Sequence, residues 1–406
     1  MAASRLSTTH VTMNPRKAAE RCRRARRTDR VFSPMTFAQL GKTVGTLHSS
    51  WEGRETTDPK PFHPSAITRG SMRAIRFEAG GNVRLVDLPT PEPGDGEVLV
   101  RVLAAGVCRT DLHLLHAVAV GRMDPFVPGH EIAGTVQKVG RGVGSVHAGD
   151  AVVVHFEIPC GKCRACVTKR TNLCENARTL GFDVTGGYAE YVRVPEDNVL
   201  AAPANLETDQ AATLACSGAT AYHTVVTQGG ADERDLVVVI GAGGVGLSAV
   251  QVARARGARV VAVDVREPAL EAARNVGAEL AVMSDDALSA ILAASKDRGA
   301  DVVVDLVSTA ETMQLGIAAL APGGRLVESA VGEEGVLIAP TLLMDKELTL
   351  TGAHSSTMAD FARAVALADA RLLRPVVTRT GVLAEAEEIL RDLEAGKIVG
   401  RAVLRP

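Results

Sequence analysis

The stretch DLVVVIGAGGVGLSAVQVARARGARVVAVDV, residues 235–265, leaves the chain few folds to adopt. The run LVVVI is short, apolar and rich in β-branched residues, the pattern of a strand buried on both faces. Glycines follow it at once, then an amphipathic helical pattern, then a second apolar run, RVVAVDV. A strand, a glycine turn, a helix and another strand make one βαβ unit of a parallel sheet. Each glycine has a separate use in such a turn. Gly241 permits the tight bend, Gly243 lets the backbone approach a pyrophosphate, and Gly246 lets helix and strand pack closely. Gly244 and Val245 open the helix, whose N-terminal N–H groups attract phosphate charge. Asp264 lies 18 residues beyond Gly246, where a carboxylate accepts hydrogen bonds from ribose hydroxyls and repels a 2′-phosphate. That favours NAD over NADP, with Arg266 as a partial counterweight. A glycine turn that binds nothing is the competing reading, and the strand–helix–strand context argues against it.

The alternation continues beyond this unit: PALEAARNVG reads as helix, ELAVM as strand, DALSAILAASKDRG as helix and ADVVVDLVS as strand. ETMQLGIAALAPGG is expected to be helical and GRLVESAVG a strand. Upstream, residues 72–217 are Val-rich runs separated by Gly, Pro and Asp turns, which predicts a compact, barrel-like β domain. The expected organisation is a β-rich domain over 72–217, a doubly wound dinucleotide domain over 218–352, and a last segment over 353–406 that returns to helices and short strands. The fold class is therefore α/β with a second, β-rich domain.

The stretch IPCGKCRACVTKRTNLC carries four of the seven cysteines, Cys160, Cys163, Cys166 and Cys174. Four soft thiolates in one short loop can close into a tetrahedron around a metal. An iron–sulfur cluster also takes four cysteines, but the bacterial ferredoxin run spaces the last by three residues and follows it with Pro. Here the last gap is seven and Glu175 follows, so zinc leads. Four protein ligands leave no position for a substrate, which makes this a structural zinc in a lobe over 158–175. A catalytic metal needs three protein ligands and an open position. Cys108 in GVCRTDLH, His130 in PGHEIAG and Cys216 in CSGATAY are the remaining candidates, and each alone would more often be a buried thiol or a satisfied histidine.

Taken with GGYAEY (186–191) and GAGGVG (241–246), these motifs make the chain from Met72 to Pro406 resemble the zinc-dependent medium-chain alcohol dehydrogenases. The resemblance implies a GroES-like catalytic domain beside the Rossmann domain, and two zinc ions per subunit. It implies that Cys108, His130 and Cys216 hold the catalytic zinc, with Glu131 beside it and Asp111 orienting the histidine. Thr110 would hydrogen-bond the substrate oxygen, and His113 would end a proton relay. Arg109 and Arg401 would meet cofactor phosphate, and Thr220 would pack beside the nicotinamide. The implied reaction is reversible hydride transfer between an alcohol and NAD, giving an aldehyde or ketone. A polyol or amino-alcohol dehydrogenase of the same family, acting on sorbitol or threonine, is the alternative. Those members usually have Glu in place of Cys216. The family also implies a homodimer or homotetramer.

Composition narrows the remaining classes. Residues 1–71 carry 13 Lys/Arg against 5 Asp/Glu, a basic extension without sustained periodicity that reads as unstructured. With a zinc knob it would suit a nucleic-acid-binding or regulatory module that senses NAD, a reading that gives no reason for an open metal site. No nucleic-acid partner is expected. No apolar run reaches the roughly 18 residues of a membrane span, and clustered cysteines without a signal-peptide core favour a reducing cytoplasm. Pocket walls are expected from residues 114–126, Phe156 and the segment after Gly332, with aliphatic lining because aromatic residues are only 3% of the chain.

Overall fold

The computed structural model describes residues 70–332 and 335–406. The basic extension expected over 1–71, Cys22 included, lies outside the described residues apart from its last two positions. Two sheets divide the described chain. The first is built from strands early in the sequence and from its end. The hairpin Ser71–Glu78 (β1) and Asn82–Pro89 (β2) flanks a seven-stranded sheet. Its centre is the eleven-residue strand Glu97–Val107 (β3), followed by the helix Arg109–Ala119 (α1) and the strand Glu131–Val139 (β4). Ala151–Val154 (β5) and Val199–Ala201 extend one side, Tyr191–Pro195 also pairs with β3, and Val377–Val382 and Arg401–Arg405 complete the other side.

β3 runs antiparallel to both β4 and the last strand, Arg401–Arg405, so its C-terminal end meets the starts of its two neighbours. The register Gly106↔Glu131 and Val107↔Ala402 sets Cys108, His130, Glu131 and Arg401 on one edge of the sheet. Gly106 has to lack a side chain there, because a Cβ would fall 2.2 Å from Glu131 Oε2.

The second sheet has six strands, all parallel: Leu236–Ile240, Arg259–Asp264, Leu280–Met283, Ala300–Asp305, Leu320–Glu328 and Thr349–Gly352. Numbered within the sheet, their spatial order is 3-2-1-4-5-6, the doubly wound Rossmann arrangement with its binding crevice where the order reverses. Every residue of LVVVI is buried, as a two-faced parallel strand requires. The first turn behaves as the glycines dictate. Gly241 has φ +92°, and a Cβ on Gly246 would stand 1.9 Å from the Gly241 carbonyl oxygen. The helix Gly244–Ala255 (α2) follows.

One core joins the sheets. Ala104, Ala133 and Val153 of the first sheet pack in one apolar cluster with Val237, Val239, Val302 and Val304 of the second. Between them runs a continuous helical stretch, Thr208–Gln228. The domain boundary expected at 217 falls inside this stretch, because its apolar residues serve both sheets. The helix expected through residue 324 instead ends at Ala319, and Leu320 already pairs with Ala300. Pro322, Gly323 and Gly324 cannot sustain a helix.

The four-cysteine lobe is seated by side-chain amides. Asn172 Nδ2 donates to the His354 carbonyl at 2.8 Å, and Asn198 Nδ2 donates to the carbonyls of His155 and Glu157 at 2.8 and 2.7 Å. Glu157 itself is buried, and burial raises its carboxyl to about 7. The folded state therefore keeps a proton that the unfolded chain, with an ordinary value of 4.5, has released. Its contribution to stability is complete below 4.5 and is lost as pH rises to about 7, by linkage about 3 kcal/mol. Glu157→Gln is expected to match the parent at pH 4.5 and to exceed it in unfolding free energy at pH 8, read from denaturant curves. Equal stability of the two proteins at pH 8 would contradict the buried, protonated carboxyl.

Candidate functional site

Cys108 ends β3 and caps α1, its N–H donating to Asp111 Oδ2 at 2.8 Å. His130 and Glu131 arrive at the start of β4, and Cys216 from the long helical stretch. Residues Leu214–Gly218 of that stretch form a π-helical turn with Cys216 at its centre. The extra residue in such a turn rotates the side chains beyond it, and Cys216 faces the sheet edge. Ligand atoms of Cys108, His130, Glu131 and Cys216 all lie within 4.8 Å of one another, and all four residues are buried.

Charge is concentrated here. Asp111 is fully buried; its Oδ2 also accepts from the Tyr188 hydroxyl at 2.7 Å, and its Oδ1 faces His130 Nδ1 at 3.4 Å. That leaves Nε2 of His130 for the thiol side. The Arg401 guanidinium, 6% exposed, closes the cluster. Its Nη2 donates to Cys108 Sγ at 3.6 Å and to Cys216 Sγ at 3.8 Å, and its Nε stands 3.0 Å from Glu131 Oε1. The hydrogen bond from the Cys216 thiol, aided by Arg401 and His130, holds Cys108 well below the ordinary thiol value despite burial. The same hydrogen bond, with burial, pushes Cys216 up, and burial raises Glu131 to about 7. Burial works against a charged His130, but Asp111 and Cys108 outweigh it and raise that imidazole.

Both oxygens of Glu131, Nδ1 of His130 and Nε of Arg401 make no hydrogen bond of good geometry. Buried polar atoms in that state call for a partner. Two sulfurs and an imidazole converging on one point, with a Glu131 oxygen beside them, are a donor set that zinc takes. The second cluster differs. Sulfur–sulfur separations in it are 4.0 Å for Cys160–Cys166, 3.5 Å for Cys163–Cys166 and 3.8 Å for Cys163–Cys174. Four thiolates around a zinc at 2.3 Å stand about 3.8 Å apart, so the cage already has the size for the ion. Backbone N–H groups of Lys162 and Cys163 lower Cys160 to about 6, whereas burial lifts Cys166 to about 12.

The other residues singled out in the sequence divide by position. On α1, Thr110 is half-buried and its Oγ1 accepts from Cys108 Sγ at 3.5 Å, while Arg109 and His113 are exposed. Thr220 is buried one helical turn after Cys216. Gly243, Gly244 and Val245 are half-buried at the N-terminus of α2. Asp264 Oδ2 accepts from the Ala242 N–H at 2.8 Å, and its Oδ1 accepts from the Arg266 N–H at 3.0 Å and faces Arg266 Nε at 3.3 Å. Arg266 Nη1 donates to the Gly396 carbonyl at 2.8 Å.

Three features escaped the sequence reading. Tyr188 stood inside a quoted motif, but its bond to Asp111 joins positions 77 residues apart. Arg401 was expected on phosphate, and the structure puts its Nη2 on the two sulfurs. Phe182 was not singled out, yet its ring stands edge-on to His130 at 5.7 Å, beside Phe156, an expected wall, at 5.1 Å. Low aromatic content says nothing about where the few aromatic rings lie.

Comparison with known proteins gives the same picture. Residues 94–204 match the family model of the alcohol dehydrogenase GroES-like domain, and residues 244–370 that of the zinc-binding dehydrogenase. An NAD-dependent alcohol dehydrogenase of Sulfurisphaera tokodaii is 38% identical over 82% of this chain and 100% of its own. The L-threonine 3-dehydrogenase of Bacillus subtilis is 34% identical over 81% of this chain and 98% of its own. The solved structure of a cobalt- and zinc-bound thermostable alcohol dehydrogenase from Pyrobaculum aerophilum superposes with TM-score 0.75 at 33% identity, covering 83% of this chain and 100% of that one.

Tyr188→Phe removes one donor from a buried carboxylate. The expected loss is about 1.5–3 kcal/mol of stability and roughly ten-fold or more in zinc affinity at the open centre, read by competition with a chromophoric chelator. Zinc affinity unchanged by the substitution would take Tyr188 out of the support of His130.

Proposed function

The chain belongs to the zinc-dependent medium-chain alcohol dehydrogenase family, and from that premise we propose that it oxidises a primary or secondary alcohol reversibly, with NAD as hydride acceptor. The observation that carries the reading is the open cluster of Cys108, His130 and Cys216 beside a buried Glu131, on the sheet edge next to the N-terminus of α2. These three residues would hold the catalytic zinc, and Cys160, Cys163, Cys166 and Cys174 the structural one. A zinc at the open centre supplies Lewis acidity, which favours ionisation of a bound hydroxyl near neutral pH. NAD supplies the acceptor ring for the hydride.

The chain's own residues do the rest. Asp111, fixed by Tyr188 and the Cys108 N–H, keeps His130 in the orientation that leaves Nε2 free. Thr110 takes the substrate proton at Oγ1 and passes it towards His113, whose exposed imidazole releases it to solvent. Phe156 and Phe182 keep water from the metal side of the pocket. Gly241, Gly243 and Gly246 admit the pyrophosphate to the helix terminus, Arg109 lies at the entrance, and Thr220 supports the nicotinamide. Asp264 is the partner of the ribose hydroxyls. Its pairing with Arg266, which is also tied to Gly396, leaves that guanidinium poorly placed for a 2′-phosphate, so NAD is preferred over NADP.

Among the described residues no helix is long and apolar enough to cross a membrane, and the six described cysteines are free thiols, which suits a reducing cytoplasm. A homodimer or homotetramer is the proposed assembly, and 72–217, 218–352 and 353–406 the proposed domain division. The likeness to an L-threonine 3-dehydrogenase favours amino alcohols as the second reading.

Purified chain loaded with zinc and mixed with NAD and a panel of primary, secondary, aryl and polyol alcohols plus L-threonine tests the proposal. NADH absorbance is expected to rise with at least one simple alcohol. Thr110→Val is expected to lower kcat about 100-fold or more with zinc content unchanged. Turnover confined to L-threonine would move the assignment to the second reading, and no turnover on the whole panel would overturn dehydrogenation.

A further inference from the structure

We infer that Arg401 couples the open metal centre to the dinucleotide site, so that loading the metal tightens dinucleotide binding through this one side chain. The inference rests on the assignment of the two sites made above and goes beyond it. Arg401 opens the last strand, and its backbone N–H is tied to the Val376 carbonyl at 2.9 Å. Gly400, with φ +79°, fits under Val376 only because it has no Cβ, which would fall 2.4 Å from that carbonyl. The side chain is therefore delivered from an anchored backbone into a buried place.

Its guanidinium spans two sites. Nη2 faces the sulfurs of Cys108 and Cys216, and Nε faces Glu131 without a hydrogen bond of good geometry. Nη1 lies against Gly244, the first residue of α2: a Cβ on Gly244 would stand 2.4 Å from Nη1. A fork of five fixed donors suits one such bridge, and a lysine ammonium does not. The helix terminus at Gly244 is where a pyrophosphate charge is stabilised. One buried cation thus touches both the sulfur donors and the phosphate cradle.

The sign follows from charge. Without the metal, the sulfurs and Glu131 are the guanidinium's nearest acceptors, at 3.6, 3.8 and 3.0 Å, and attraction at such separations is strong in a buried site. A divalent cation held by the same sulfurs competes for them. More of Arg401's charge and its N–H donors then serve an anion at Gly244. Linkage makes the effect reciprocal, so the dinucleotide must tighten the metal by the same factor.

The test uses the full chain prepared with two zinc ions and with one, by removing zinc from the open centre, and titrates NADH by its fluorescence. The wild type is expected to bind NADH about ten-fold tighter when fully loaded. In Arg401→Gln that ratio is expected to fall to within about two-fold of unity, whatever the absolute affinities. Arg401→Lys, which keeps the charge and guards against a folding failure of the glutamine variant, is expected to reduce the ratio but not abolish it. Equal NADH affinity in loaded and depleted wild type, or the same ratio in wild type and both variants, would overturn the coupling alone. Failure of fully loaded wild type to bind NADH would overturn the assignment of the site, and the coupling with it.

Discussion

Six ionisable side chains, Cys108, Asp111, His130, Glu131, Cys216 and Arg401, are buried against one another where the two sheets meet. Burying charge is tolerated only when it is paired and hydrogen-bonded, and much of the fold serves that condition. The antiparallel register of β3 with its two neighbours brings four of the six to one edge. The π-helical turn supplies Cys216, and Tyr188 supplies a hydrogen bond from a distant loop. Gly106 gives up its side chain so that Glu131 has room. The cluster is expensive to assemble, and a divalent cation held by its sulfurs would make the arrangement favourable.

Legibility in the sequence follows locality. The glycine turn and the strand before it were readable because both patterns lie within one βαβ unit, and the expected parallel, doubly wound sheet is present. The four-cysteine cage was readable because its spacing alone fixes a closed loop, and its sulfurs stand at tetrahedral separations. Cys108, His130 and Cys216 were candidates by residue type but individually weak, and only the resemblance joined them, since their meeting depends on strand register and on a helical irregularity. A π-helical turn has no composition of its own, and LACSG reads as ordinary helix. Arg401 shows the remaining gap. Its position in the chain suggested phosphate, but only the packed structure shows that the same guanidinium also reaches two sulfurs and a carboxylate. Phe182 beside His130 was missed for a similar reason, because a count of aromatic residues carries no information on their placement.

In the proposed function the two cysteine centres divide labour by coordination rather than by residue type. The cage of four is complete within one lobe, held to the rest by Asn172 and Asn198, and it offers no position for a reacting molecule. The open centre is assembled from three separate parts of the chain, and any shift of one sheet edge against the helical stretch changes its geometry. Such a site is sensitive to its surroundings in a way that the closed cage is not. That sensitivity suits a centre beside a cofactor cleft.

The central claim is that chemistry resides at the open centre while the cage only holds shape. Activity measured while zinc is returned to depleted protein tests this most directly, because a closed set of four thiolates is expected to fill before a set of three protein ligands. No NADH formation is expected up to one zinc per chain, then a rise in proportion to the second. Full activity at one zinc per chain, with that ion among Cys160, Cys163, Cys166 and Cys174, would contradict it.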